Sequence, residues 1–288
     1  MLIGSGDVCA AERLRQRSEH VQSRGQAAAG AVGLQRLLPV SSDKNRGFSK
    51  DRGCVQVEYA IEAIKLGSTV IGICTNEGVV LAVEKRVTSP LMEPRSIEKV
   101  MEVDSHMGIA MSGLTSDARF LIDHARSESQ NHSFTFDEQI PVESLTQSIS
   151  DLALQFGEGD EATLGRPFGV ALLLAGSDDR GTHLFHTDPA GTFTRCSASA
   201  IGSGSEGAQS SLQEHYSPDM SLQAAEDLAL STLKAVMEDK VSKTNVDIAE
   251  VAPHYHLFSE DEVQAVINRV AQQGSNDLAS GSVVVEQS

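Results

Sequence analysis

The sequence predicts a mixed α/β chain of the α+β type, in which two stacked β-sheets lie between two layers of helices. Three observations lead to this prediction. β-branched runs occur as hairpins, pairs of segments with helical spacing separate the hairpins, and the strands are too apolar to face water. Sheets of this kind need cover on both faces, which stacking on each other and on helices provides.

The first folded element is an amphipathic helix. Its apolar residues recur at the i, i+3, i+4 and i+7 spacing of one helical face, at Val57, Ala60, Ile61 and Ile64. Gly67 follows at the place of a left-handed C-terminal cap. The β-branched runs 69–75 and 79–84 come next, and the turn at 76–78, which contains Gly78, predicts that they form a hairpin.

Two strands and two helices complete the first half of the chain. The strands are expected over 97–103 and 107–113, and Thr115 is the expected N-cap of the helix that follows. The acidic, glycine-bearing stretch 157–167 predicts an exposed loop after the second helix. The apolar faces of the two helices comprise Ala118, Leu121, Ile122 and Ala125, and then Leu145, Ile149, Leu152 and Phe156.

The second half repeats this order of elements. Its strands and turns are predicted from the same apolar runs and turn residues as before. We expect a strand over 168–176, a hairpin over 183–196, helices from about Ser205 to Tyr216 and from Ser221 to Asp239, a strand over 246–252 and a helix from Ser259.

The glycine-bearing turn 201–207 matches a phosphate-binding loop only in part. It lacks the Lys-Ser/Thr pair of a P-loop and the full Gly-x-Gly-x-x-Gly spacing, so a tight turn capped by Ser205 is favoured. The Gly-x-Ser-x-Gly elbow of many Ser-His-Asp hydrolases is also missing. The four cysteines, which lack Cys-x-x-Cys spacing, predict neither a zinc site nor a disulfide framework. We therefore expect no cofactor and no metal.

Charge and hydropathy restrict the partners. The formal net charge of the 288 residues is −17, which opposes binding to nucleic acid and to anionic membranes, because both reward clustered Lys and Arg. No apolar run approaches the ~18 residues of a membrane span, and no secretory leader is recognisable at the start. We expect a protein that works in the cytoplasm and nucleus.

The composition divides the chain into three segments. Residues 1–50 hold eight Lys/Arg against four Asp/Glu and lack sustained apolar periodicity, so we interpret them as a disordered or aberrant extension. An organelle transit peptide is the alternative interpretation. The folded domain is expected over 51–270. The segment 271–288, which is rich in Gly, Ser and Asn apart from the run Val283-Val284-Val285, is expected to be disordered.

The stretch QVEYAIEAIKLGST (56–69) closely resembles the first helix and strand of proteasome alpha-type subunits. The resemblance extends over about residues 51 to 270. Two stretches are most similar to the fifth alpha-type subunits, namely SPLMEP (89–94) and the long acidic loop before Arg166. Further matches, in family order, are SIEKV (96–100), MSGLTSDAR (111–119), RPFGVALLLAG (166–176), LFHTDPAGTF (184–193) and AIGSGSEGAQSSLQE (200–214).

This resemblance implies a fold, an assembly and a function. The fold is the four-layer αββα sandwich of the N-terminal nucleophile hydrolases. The assembly is a seven-membered ring of alpha-type subunits that caps the catalytic beta-type rings. The function is that of a non-catalytic ring and gate subunit in ubiquitin-dependent protein degradation by a threonine endopeptidase complex. Other alpha-type and beta-type subunits and the C-terminal tails of regulatory particles are the implied partners.

The resemblance also implies a degenerate nucleophile site. In catalytic relatives a cut after a glycine frees a threonine whose own amine acts as the base. On this pattern Gly67 matches the glycine, Ser68 the nucleophile, Glu84 the acidic residue, Arg86 a neighbouring arginine and Lys99 the lysine. A structural serine is the favoured interpretation. A self-processing hydrolase that uses Ser68 is the alternative.

The gate segment departs from the family pattern. Alpha-type subunits carry a tyrosine, Asp-Arg, a turn proline and Gly-Arg before the stretch that contains Tyr59. Here Asp51 and Arg52 are present, Lys50 replaces the tyrosine, and the proline turn is missing. A spliced or divergent isoform and a gene model that lost an exon both explain this remnant, and the composition of 1–50 favours the second.

Lys99 has a second implied role. Alpha-type subunits place a lysine of this SIEK stretch in a pocket between ring neighbours, where the tails of activators dock. A tail carboxylate requires a cation at short range in a partly dehydrated cleft. Lys99 and Gly67 are therefore the predicted residues of an activator-docking pocket, and an ordinary solvated lysine at the end of a strand is the alternative.

Overall fold

The computed structural model describes residues 50–87, 89, 91–155 and 166–281, and the side chains of residues 56–272 within those ranges. Predictions for residues 1–49, for most of the loop 157–167 and for Phe156 lie outside the described residues. The described elements are α1 (Lys50–Ile64), β1 (Val70–Cys74), β2 (Val79–Glu84), β3 (Val100–Asp104), β4 (Met107–Gly113), α2 (Thr115–Phe136), α3 (Val142–Leu154), β5 (Val170–Asp178), β6 (Gly181–Thr187), β7 (Phe193–Arg195), β8 (Ala198–Ile201), α4 (Ser205–His215), α5 (Leu222–Val236), β9 (Val246–Val251), β10 (Tyr255–Leu257) and α6 (Glu260–Gly281).

The strands form two antiparallel sheets of five strands each. The first sheet has the order β10-β9-β2-β1-β8, and the second has the order β3-β4-β5-β6-β7. Ile71 of β1 lies opposite Ala82 of β2, and Phe185 of β6 lies opposite Arg195 of β7. Both predicted hairpins are therefore confirmed. The β6–β7 turn is closed by the Asp188 carboxylate, which accepts hydrogen bonds from the backbone N–H groups of Ala190 and Thr192 at 3.0 Å.

The two sheets stack face to face. Leu81 of the first sheet and Leu173 and Leu184 of the second are fully buried in one apolar cluster between them. Gly72 of β1 shows how close the sheets are, because a Cβ atom there would lie 2.9 Å from Leu184 Cδ1. The apolar runs that predicted strands covered on both faces are thus accounted for.

A helix layer covers the outer face of each sheet. The helices α2 and α3 bury Ile122 and Leu145 against the second sheet. The helices α4, α5 and α6 bury Leu212, Leu230 and Val263 against the first sheet. The layer order is therefore helix, sheet, sheet, helix, as the sequence predicted. This prediction rested on the spacing of the apolar residues. Apolar residues that recur every 3.6 positions lie on one face of a helix, so each helix buries that face against a sheet and leaves the opposite face exposed.

The two end helices differ in length from the predicted elements. The helix α1 begins at Lys50 rather than near Val57. No proline interrupts it, and Gly53 disfavours a helix by only about 1 kcal/mol. The helix α6 continues to Gly281, which lies within the segment 271–288 for which disorder was predicted. Glycine and serine without proline lower helix propensity but do not end a helix. Residues 282–288 lie outside the described part.

Three predicted caps are also wrong. Gly67 is not among the glycines with positive φ, so it is no left-handed cap. Thr115 and Ser205 are the first residues of α2 and α4, and neither helix has a side-chain cap. Ser221 does cap α5, because its hydroxyl accepts a hydrogen bond from the N–H of Ala224 at 3.3 Å.

Candidate functional site

The predicted site lies where the start of β1 meets the end of β2, the end of β4 and the turn before α4. Gly67 is required there by close packing. A Cβ atom at this position would lie 2.5 Å from Ser112 Oγ and 2.8 Å from the backbone nitrogen of Gly113. Its carbonyl accepts a hydrogen bond from the N–H of Ser203 at 3.0 Å. The backbone at Gly67 is therefore held from two sides.

Ser68 is buried, with 7% of its surface exposed. Its carbonyl accepts a hydrogen bond from the Ser112 hydroxyl at 2.8 Å. Gly202, with φ of +96°, packs so closely on this carbonyl that a Cβ atom there would lie 2.2 Å from it. The Ser68 hydroxyl makes no described hydrogen bond to Glu84 or Lys99. Ser68 thus serves as a backbone anchor in this arrangement.

The Glu84 carboxylate is engaged on both oxygens. Oε2 accepts a hydrogen bond from the N–H of Thr69 at 3.0 Å, and Oε1 accepts one from Arg86 Nε at 3.1 Å. Arg86 also donates to the Leu66 carbonyl at 3.2 Å and to the Ser203 hydroxyl. These bonds tie the end of α1 to the turn before α4. A carboxylate used in this way is a structural partner and not a free base.

Lys99 lies just before β3, and its Nζ donates to the Thr115 hydroxyl at 3.3 Å. Burial lowers the pKa of Lys99, and the positive charge of Arg86 lowers it further. The structure therefore brings Lys99 into the electrostatic neighbourhood of Arg86. It also places the ammonium at the first residue of α2 in a partly dehydrated setting.

The structure describes the gate remnant, Asp51, Arg52 and Tyr59, less completely than the nucleophile site. Asp51 and Arg52 lie in the first turn of α1, where only the backbone is described. Tyr59 is 70% exposed on the outer side of α1 and makes no described contact with Lys99 or Arg86. The structure thus unites Gly67, Ser68, Glu84 and Arg86 with Lys99 nearby, and it leaves the gate remnant apart.

Four residues of the site were missed as site residues. Thr69, Ser112, Thr115 and Ser203 supply the hydroxyl and N–H groups that occupy Ser68, Glu84, Arg86 and Lys99. The glycines on both sides of Ser203 were the available signal, because such a turn lets a backbone approach closely. Thr115 was predicted as a helix cap, but its hydroxyl accepts from Lys99 instead.

Three further features of the described residues concern metal binding, membrane insertion and free thiols. They contain no group of three or more His, Cys, Asp or Glu side chains able to hold a metal ion. Within the same residues no helix has the length and apolarity needed to cross a bilayer. Cys74 and Cys196 are both free thiols, and burial raises the pKa of Cys196.

An ion pair fixes the start of α2 beside this site. Both carboxylate oxygens of Asp117 accept hydrogen bonds from Arg166, at 2.6 and 2.8 Å, and one also accepts the N–H of Gly169 at 3.0 Å. Burial raises the pKa of Asp117, but the hydrogen bonds and charge of Arg166 outweigh it and the net pKa is lowered.

Asp117→Asn is expected to lower the free energy of unfolding by about 1.5–3 kcal/mol at pH 7, because a charge-assisted bidentate contact is lost. A carboxyl whose pKa is lowered by folding stabilises the protein above its unfolded pKa of about 3.9. The difference between wild type and variant should therefore shrink as the pH falls below that value.

Urea unfolding between pH 7 and pH 3 measures this difference. Asp123→Asn is the control, because Asp123 lies on the same helix, is 75% exposed and pairs with Arg126 at only 3.8 Å. Its effect should stay within about 0.5 kcal/mol. An equal effect of the two substitutions at pH 7 would contradict the assignment.

Comparison with known proteins identifies the family. The family model described as proteasome subunit matches residues 64–251. The probable proteasome subunit alpha type-5 of Schizosaccharomyces pombe is 52% identical over 245 residues, covering 82% of this chain and 99% of the relative. The proteasome subunit alpha type-5 of Drosophila melanogaster is 53% identical over 239 residues, covering 80% and 98%. That of Dictyostelium discoideum is 52% identical over 235 residues, covering 78% and 96%. The chain therefore belongs to the proteasome subunit family, as an alpha-type member similar to the type-5 subunits.

Proposed function

We propose that this chain is a non-catalytic subunit of the alpha ring of the proteasome core particle. It builds the seven-membered outer ring together with other alpha-type subunits, rests on beta-type subunits, and takes part in ubiquitin-dependent protein degradation in the cytoplasm and nucleus. Its partners include neither nucleic acid nor membrane. The complex it serves is a threonine endopeptidase, whereas this subunit has a structural and regulatory role.

The non-catalytic assignment rests on one observation. The Gly67–Ser68 linkage is held by hydrogen bonds to both carbonyls, from Ser203 and from Ser112. A nucleophile of this class needs a free amine at that position to act as its base. The competing proposal, self-processing at Ser68, would also need Glu84, whose two oxygens are already bound to Thr69 and Arg86.

The same geometry supports a docking role for Lys99. With Glu84 paired to Arg86, the Lys99 ammonium has no carboxylate partner among the described residues and donates only to the Thr115 hydroxyl. A partly buried cation of this kind is a fitting partner for the carboxylate of a regulatory-particle tail. Lys99 and Gly67 therefore line our proposed docking pocket. The gate function proposed for Asp51, Arg52 and Tyr59 rests on the family resemblance alone.

The ring assignment is tested by replacement in cells. A tagged copy of this chain should restore growth to cells depleted of their own type-5 subunit and should co-purify with the other alpha-type and beta-type subunits. The matched variant Gly202→Val should not assemble, because its side chain would collide with the Ser68 carbonyl. A tagged chain that is soluble and folded, yet sediments alone and recovers no other subunit, would overturn the proposal.

A further inference from the structure

Each sheet of this fold ends in two edge strands. Within the described residues these are β10 and β8 in the first sheet and β3 and β7 in the second. The outward N–H and C=O groups of an edge can pair with a strand of another chain, and proteins limit this by keeping edge strands short or by covering them. β7 and β10 have three residues each, whereas β8 has four and β3 has five. The two longer edges therefore need cover.

The strand β3 directs the backbone groups of Val100 and Glu102 outward. The N–H of Met111 donates to the carbonyl of Lys99 at 3.0 Å, so these two residues form a hydrogen-bonded pair between β3 and β4. The same register continues with Val100 opposite Ala110. Hydrogen-bonded and non-hydrogen-bonded pairs alternate along an antiparallel ladder. Val100 and Glu102, which follow Lys99 by one and three positions, therefore direct their N–H and C=O groups away from β4.

Arg126 of α2 binds one of these outward groups. Its Nε and Nη2 atoms both donate to the Glu102 carbonyl, at 2.9 and 2.6 Å. Its Nη1 atom lies 3.8 Å from the Asp123 carboxylate, so the guanidinium is also held on its own helix. A guanidinium is planar and presents its donors in a rigid fork, so it fills the space beside the carbonyl that a pairing strand would need. The edge of β3 is therefore covered at Glu102.

The edge strand β8 has the same arrangement. The N–H of Cys74 donates to the carbonyl of Ser197 at 2.8 Å, and the register continues along β8 with Ala200 opposite Ile71. By the same alternation, Ala200 directs its N–H away from β1. This N–H donates to Oε1 of Gln209, on α4, at 3.3 Å. On each of the two longer edges, a long polar side chain from a covering helix thus binds an outward backbone group.

We propose that Arg126 prevents β3 from pairing with the β3 strand of a second copy of this chain, and that Gln209 protects β8 in the same way. A second copy fits the edge of β3, because a two-fold axis at Met101 would place Val100 of each copy opposite Glu102 of the other. The backbone groups of both residues point outward, so each of these pairs would exchange two N–H···O=C bonds. Arg126 withdraws the Glu102 carbonyl from both pairs. This inference concerns the separate chain and does not depend on the proposed ring or docking role.

Sedimentation of the purified full-length chain over a range of concentrations measures this effect. Arg126→Ala should strengthen self-association by about tenfold, because it frees two backbone hydrogen bonds of ordinary net strength, one in each pair. Arg119→Ala is the control, since it removes the same side chain from an exposed position of the same helix, and it should associate like wild type. Gln209→Ala should have a smaller effect than Arg126→Ala, because a single hydrogen bond of 3.3 Å covers β8.

Cross-linking separates edge pairing from association through partial unfolding. In the proposed dimer the two Met101 residues form a non-hydrogen-bonded pair with Cα atoms about 4.5 Å apart, which suits a disulfide. With the four native cysteines changed to serine, Met101→Cys should therefore cross-link two copies about tenfold faster in the Arg126→Ala background than with Arg126 present. Ser116→Cys, at an exposed position of α2, is the control and should cross-link equally in both backgrounds.

Two results would overturn the proposal. The first is an Arg126→Ala chain that associates no more strongly than the Arg119→Ala chain. The second is stronger association without faster cross-linking at position 101, because the chains would then meet through another surface or through unfolded segments.

Discussion

Lys99→Ala is expected to weaken the binding of a regulatory-particle tail at this subunit by about a hundredfold, with ring assembly unchanged. Removal of one partner from a desolvated, hydrogen-bonded charge pair typically costs a few kcal/mol. Assembly should be unaffected, because the side chain of Lys99 makes a single described hydrogen bond, to Thr115. The yield of a photoreactive tail peptide cross-linked to this subunit in assembled particles is the measurement.

The ligand offers a matched control for this experiment. A tail peptide with an amidated C-terminus lacks the carboxylate, so it should bind wild type as weakly as the normal tail binds the alanine variant. The binding of this amidated peptide should weaken little further when Lys99 is replaced by alanine. Lys99→Arg should retain part of the binding, because it keeps the charge with a different shape. Equal cross-linking of the normal tail to wild type and Lys99→Ala would remove Lys99 from the pocket.

Lys85→Met is expected to lower the free energy of unfolding by about 3–5 kcal/mol near pH 8, because it leaves a buried carboxylate unpaired. Lys85 Nζ lies 2.7 Å from Asp247 Oδ1, with 8% and 19% of the two side chains exposed. Burial raises the pKa of Asp247, although the Lys85 charge and hydrogen bond oppose that rise. Urea unfolding at fixed protein concentration gives the measurement.

The pH dependence separates this mechanism from lost packing. A carboxyl whose pKa is raised by folding disfavours the folded state above its unfolded pKa of about 3.9, and this penalty disappears as protonation proceeds. Without Lys85 the pKa of Asp247 rises further, so the loss should be smaller at pH 5 than at pH 8.

Two variants control the Lys85 experiment. Lys85→Met/Asp247→Leu should recover much of the stability, since both charges are gone. Lys65→Met breaks an exposed pair with Glu62, in which 56% and 68% of the side chains are exposed, and should change stability by at most about 0.5 kcal/mol. A loss for Lys85→Met that does not vary with pH would indicate packing instead of an unpaired charge.

The fold was largely predictable because its signals are local. The spacing of Val57 to Ile64 and the apolar run 168–176 were enough to predict the first helix and the covered strand β5. Errors arose where a tertiary contact replaced a local preference. Gly67 is needed for its close approach to Ser112, and Thr115 accepts a hydrogen bond from Lys99, which lies 16 residues earlier. Sequence spacing carries no information on such contacts.

The site was predictable only where the family resemblance supplied it. Glu84 and Arg86 lie two residues apart at and just after the end of β2, but no pattern in the sequence connects them to Ser203, 117 residues away from Arg86. The same holds for Ser112, which binds the Ser68 carbonyl from another sheet. The family resemblance therefore suggested a nucleophile site, whereas the contacts show that the Glu84 carboxylate and the Ser68 carbonyl are held by structural hydrogen bonds.

The linkage between Gly67 and Ser68 gives the most direct test of a non-catalytic alpha-type subunit. The chain is recovered from assembled, active particles and digested with trypsin, which cuts after Lys65 and Lys85 and therefore releases residues 66–85 as one peptide when the linkage is intact. We predict that this peptide is recovered in full amount and that Ser68→Ala leaves all peptidase activities of the particle unchanged. A peptide that begins at Ser68, accompanied by an activity that Ser68→Ala abolishes, would contradict the account.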